Sequence, residues 1–94
     1  MKMHVVLLDR ASPEERERTH DAVKENSSGW YHHQTDTWIV RGKTAAEWRD
    51  ILKSVLDRGP SNLLVFTLPE EGARSWAYWG PNAKKRGEWL HRNY

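Results

Sequence analysis

Residues 37–56 read TWIVRGKTAAEWRDILKSVL, and the spacing of apolar positions changes within that stretch. From Thr37 to Arg41 the side chains alternate. Trp38 and Val40 fall on one side, and Thr37, Ile39 and Arg41 on the other, as in a strand. Gly42-Lys43 leads to Thr44, with Glu47 three residues later, a capping box that opens a helix. Trp48, Ile51, Leu52, Val55 and Leu56 then fall at i, i+3, i+4, i+7 and i+8, one helical face. Gly59-Pro60 predicts the stop, with glycine at a left-handed cap.

The same strand-to-helix grammar recurs upstream. Met3–Leu8 is a short unbroken apolar run, which predicts a strand covered on both faces. Ser12-Pro13-Glu14-Glu15 is a second capping box with proline at the first helical position. The helix it opens is expected to reach about Glu25 on a thin stripe of Thr19, Ala22 and Val23. Trp30–His33 and 37–41 flank Gln34-Thr35-Asp36 and read as a hairpin. Asn62–Leu68 reads as a second buried strand.

The resulting order, β-α-β-β-α-β, predicts an α+β domain with the ferredoxin-like, split βαβ arrangement over residues 1–71. Strands 3–8 and 62–68 are expected at its centre, and both helices on one sheet face. Residues 72–94 are expected to form a basic, Trp-rich extension that packs on the core or on a dimer partner. Within it, Arg74–Trp79 predicts a fifth strand, and Asn82 a cap for a helix carrying Trp89, Leu90 and Tyr94.

Ninety-four residues make one domain, and 37% hydrophobic content is lean for its size. The absence of cysteine excludes disulfides and thiolate metal sites. Six tryptophans supply large apolar area instead. A lean core beneath a sheet with one bare face predicts a homodimer. The longest apolar run, Val5–Leu8, is far too short to cross a bilayer. With no membrane segment and no signal-peptide pattern at the start, a cytoplasmic location is expected. The net charge of +2 hides an asymmetry: residues 1–71 hold ten Lys/Arg against twelve Asp/Glu, residues 72–94 five against one. Such asymmetry points toward a nucleic-acid or other anionic partner.

Several elements together carry a family resemblance. They are a first strand ending in Asp9, the strand Trp30-Tyr31-His32, then Thr37-Trp38-Ile39-Val40, Trp76-Ala77-Tyr78-Trp79 and Glu88-Trp89-Leu90. Over nearly its whole length the chain resembles the SinR-family small proteins of bacteria and phages. These are in turn similar to the CRISPR-associated adaptation protein and the virulence-associated protein D toxins. The resemblance implies a ferredoxin-like homodimer. It also implies, for a nuclease member, Mg²⁺ held by the aspartate that ends the first strand, here Asp9. This chain departs from the adaptation proteins in having Leu8 where they carry tyrosine. It also has Glu14, Glu15 and Glu17 where a basic run would follow. Both departures weigh toward a protein that is weakly catalytic or not catalytic, with no required cofactor.

The candidate chemistry is correspondingly sparse. Asp9, doubled by two-fold symmetry, could hold a hard cation, or could simply accept hydrogen bonds in the strand-to-helix turn. His32 and His33 are adjacent in a strand and point to opposite faces, whereas His4 could approach one of them across the sheet. No serine is framed by glycines as a nucleophile would be, and no glycine loop cradles phosphate. Arg74, Trp76, Trp79, Lys84, Lys85 and Arg86 interleave cations with aromatic rings, a mixture that binds nucleic acid by phosphate contact and base stacking. The same tryptophans could instead complete the core or a dimer interface. The functional expectations are a nucleic-acid-associated homodimer, a partner-binding module such as a phage or mobile-element inhibitor or antitoxin acting on a host or defence protein, and a metal-dependent endonuclease using Asp9.

Overall fold

The computed structural model describes residues 2–57 and 59–69, together with Glu88 and Arg92. The elements are β1 (Met3–Asp9), α1 (Pro13–Asn26), β2 (Gly29–Gln34), β3 (Thr37–Arg41), α2 (Ala45–Lys53) and β4 (Asn62–Thr67). They make a small α+β domain with one four-stranded antiparallel sheet in the order β2-β3-β1-β4. β3 therefore lies between β1 and β2, so the two strands joined by α1 are not neighbours.

Both capping boxes form. Ser12 and Glu15 exchange side-chain and backbone bonds at the start of α1, as Thr44 and Glu47 do at the start of α2. Each box follows a residue in the left-handed region, Arg10 (φ 58°) and Lys43 (φ 55°), the latter preceded by Gly42 (φ 95°). This left-handed step turns the chain out of the strand before each helix begins.

The pairing register sorts the side chains into two faces. Val6, Leu8, Trp38 and Val40 pack with Ala22 and Val23 of α1 and with Trp48 and Leu52 of α2, so this cluster lies on the helix side of the sheet. α1 contributes through a narrow buried stripe of Glu15, Thr19, Ala22 and Val23, bordered by half-buried Arg16, His20 and Asn26, and its remaining residues are exposed. On the other side a row of Tyr31, Ile39, Val5 and Phe66 crosses all four strands, with Leu7 beside Leu64 in the next row. Leu64 is 51% and Phe66 55% exposed.

Two expectations need correction. β4 is not a central strand; it sits at the edge of the described sheet, and the central pair is β3 and β1. Its apolar run is apolar on both faces because one meets the core through Leu63 and Val65 while the other joins the row on the opposite face through Phe66. Nor does α2 run to a glycine cap. It ends at Lys53 with Ser54 as cap, and Val55 and Leu56 continue in tighter turns bonded to Leu52 and Lys53. Val55 and Leu56 still pack against the core from that turn. Gly42 is the only described glycine with positive φ. The expected fifth strand and terminal helix lie outside the described residues, apart from Glu88 and Arg92, which are helical and ion-paired at 3.6 Å.

Candidate functional site

Among the described residues Asp9 is the one expected catalytic or metal-binding position. It is the exposed last residue of β1, opposite Asn62 in the ladder. Its carboxylate makes neither a hydrogen bond nor an ion pair among the described residues, so the bland expectation of a turn acceptor is not met either. The turn is held instead by Ser12, Glu15 and the Arg16 guanidinium on the Ala11 carbonyl. No three His, Asp or Glu side chains converge as metal ligands among the described residues. Among the described residues Asp9 is thus not joined by the several oxygen donors that Mg²⁺ takes. Arg74, Trp76, Trp79, Lys84, Lys85 and Arg86 lie outside the described residues.

His4 proves structural. It is fully buried, donates from Nε2 to the Lys43 carbonyl at 2.8 Å, and accepts at Nδ1 from the Thr67 hydroxyl at 3.0 Å. Register places it between Val40 and Thr67, whereas His32 stands opposite Trp38, so the two histidines are not brought together.

The histidine that does meet His32 is His20 of α1. Its ring centroid lies 4.9 Å from that of His32 and 5.0 Å from that of Trp30, edge-on to the latter. His32 stacks on Trp38 at 4.7 Å and 7°. Trp38 is fully buried, and its indole N–H donates to His20 Nδ1 at 3.0 Å. An indole N–H can only donate, so His20 Nδ1 must carry a lone pair and the neutral ring holds its proton on Nε2. Burial, then the neighbouring His32, then Lys24 push the His20 pKa down, with Asp21 opposing. This tautomer is poorly suited to metal ligation through Nε2, which would first have to lose its proton to the nitrogen facing the indole. His20 was not among the expected site residues. Its one sequence signal is its place beside Thr19 and three before Val23, at the border of the thin buried stripe of α1.

A third arrangement ties α1 to the opposite end of the molecule. Glu15 accepts at Oε1 from the Ser12 N–H, and at Oε2 from the Asp57 N–H and the Ser61 hydroxyl. The Ser12 and Asp57 N–H groups are the main reason its pKa falls from 4.5 to about 2. A depressed carboxylate stabilises the fold above its ordinary value, and that stabilisation is lost as pH falls from 4.5 toward about 2. Glu15→Gln is expected to lower the melting temperature at neutral pH and to flatten its decline across that acid window. Thermal melts from pH 2 to 7 measure both effects, and parallel curves for the two proteins would contradict the assignment. Nearby, an open cleft between α2 and the start of β4 is lined by Arg49 and Lys53. Asp50 holds Arg49 and also feels the charge of Lys53, and Arg18 holds Asp57.

No family model, curated protein or solved structure matches the chain. Among the described residues no helix is long and apolar enough to cross a membrane.

Proposed function

We propose that the chain is a small homodimeric nucleic-acid-associated protein on a ferredoxin-like scaffold, acting without carboxylate-metal cleavage. In this reading the sheet faces opposite the helices meet at Leu64 and Phe66 of two protomers, and the basic C-terminal stretch contacts phosphate. The order β2-β3-β1-β4 with all neighbours antiparallel is what a split βαβ arrangement predicts. The observation that carries the reading is the apolar row Tyr31-Ile39-Val5-Phe66 on the sheet face opposite the helices, with Leu64 and Phe66 about half exposed.

The chemistry of that face favours protein over bases. Sheets that bind RNA stack bases on aromatic residues of the sheet face. Here the two central strands present Val5, Leu7 and Ile39 to the face opposite the helices, and the aromatic residues sit on the outer strands. The exposed surface of α1 carries Glu14, Glu17, Asp21 and Glu25, which repel phosphate. The cationic surplus resides in residues 72–94. The reading accords with the resemblance to the SinR-family, adaptation-protein and virulence-protein-D group. It leaves Asp9 without a catalytic task.

Anisotropy of labelled single- and double-stranded RNA and DNA tests the proposal. Affinity should fall at least about tenfold between 50 and 200 mM salt, and the Lys84→Glu/Lys85→Glu/Arg86→Glu variant should lose it. Asp9→Asn should bind as the parent does, and no Mg²⁺-dependent cleavage should disappear with it. Absence of binding, or binding indifferent to salt, would defeat the nucleic-acid reading. The same aliphatic face favours a second reading, in which it docks a host or defence protein. A monomer that captures such a partner at high salt, and loses it when Phe66 is changed, would select that alternative.

A further inference from the structure

The geometry points to His20 as a proton-operated latch that holds α1 against the β2–β3 hairpin and releases it in mild acid. α1 has little else to grip with on that side, since its buried stripe is Glu15, Thr19, Ala22 and Val23. Glu15 is committed to the far end, at Asp57 and Ser61. Near the hairpin the helix is held by the Trp38–His20 hydrogen bond and by the rings of Trp30 and His32 around it.

Protonation acts on this contact in two ways. A second proton on His20 must go to Nδ1, the atom that accepts from Trp38. The imidazolium and the indole then present N–H to N–H, and a buried donor is left without an acceptor. The imidazolium would also face the His32 ring of β2, 4.9 Å away. On α1 itself, Lys24 disfavours the charge and Asp21 favours it. One turn earlier, Arg16 is 3.7 Å from Asp36 of the hairpin turn, so that carboxylate is already engaged. From β3 the neighbour is Trp38, which carries no charge. The balance opposes a charged His20 in the closed state.

The sign follows from this. The folded pKa lies below the ordinary 6.5, so the closed state binds the proton less readily than the open one. The latch is intact above 6.5 and loosens as pH falls through and below that value. A contact that opens locally, with the rest of the core in place, is the kind of low-energy motion that exchange protection detects.

Native-state hydrogen exchange, corrected for the intrinsic pH dependence, tests the latch. Between pH 7.5 and 5.0 the amides of α1 should lose protection about tenfold, while those of α2 stay nearly constant. His20→Gln offers Trp38 an amide oxygen that does not titrate, so in that variant α1 protection should be level across the same range. Unchanged α1 protection in the parent, an equal loss in α2, or the same loss in His20→Gln would overturn the proposal. Should His20→Gln not fold, the Trp38 indole N–H resonance of the parent decides. It should shift and exchange faster as the His20 ring titrates, and an indole signal indifferent to that titration would overturn the latch.

Discussion

Leu64→Asp combined with Phe66→Asp is expected to yield a folded monomer. Both side chains are about half exposed in the protomer, at 51% and 55%, so their removal takes little from its own core. In a dimer built on the face opposite the helices they would lie in the buried contact, with Phe66 completing the four-strand row. Two carboxylates buried in an aliphatic interface without partners oppose association by several kcal/mol, or at least about a thousandfold in dissociation constant. Sedimentation equilibrium and circular dichroism together make the test specific. A parent that is monomeric at all accessible concentrations refutes the face as a dimer contact, and so does a double variant that remains dimeric. A variant that loses its helical signal would mean instead that the face belongs to the protomer's own core.

Trp48→Ala is expected to have the opposite signature, loss of the fold itself. Trp48 is fully buried in the core, and its indole N–H donates to the Gly42 carbonyl at 2.9 Å. It therefore joins α2 to the turn that leads into it. Removing a buried tryptophan costs about 3–5 kcal/mol, a large share of what a domain of this size has. Urea denaturation should find the alanine variant mostly unfolded near 37 °C. Trp48→Phe keeps most of the apolar volume and should remain folded, with a lower midpoint. A near-native midpoint for Trp48→Ala would mean that α2 is held by something other than this ring.

Much of the fold was legible in the sequence because local signals agreed with one another. Ser12/Glu15 and Thr44/Glu47 mark both helix starts in their own side-chain chemistry. The alternation from Thr37 to Arg41 sorts Trp38 and Val40 from Ile39 before any partner strand is known. β4 was misplaced for a physical reason. Continuous apolarity says that both faces are dry or await covering, and it does not say how many neighbours the strand has. The helical stripe through Leu56 likewise identified residues that reach the core, and Val55 and Leu56 do so from a turn.

The candidate site was less legible. The His20, His32 and Trp38 rings belong to three elements, and their meeting depends on β3 lying inside β2 and on α1 crossing above both. Asp9 was found readily because it ends a strand, yet that position alone brought it no partners among the described residues. Strand ends are local facts, and ring clusters are products of topology.

The left-handed residues before the two helices have a consequence for engineering. Arg10 and Lys43 occupy a region that costs a branched or long L side chain about 1 kcal/mol, and both are exposed. At Lys43 the same turn leaves the carbonyl where buried His4 can donate to it, so the conformation itself has to be kept. Asparagine tolerates this region and does not add glycine's freedom to the unfolded chain. Positions 10 and 43 are therefore where a more heat-resistant version of this domain could be made without touching its core, its sheet face or its ring cluster.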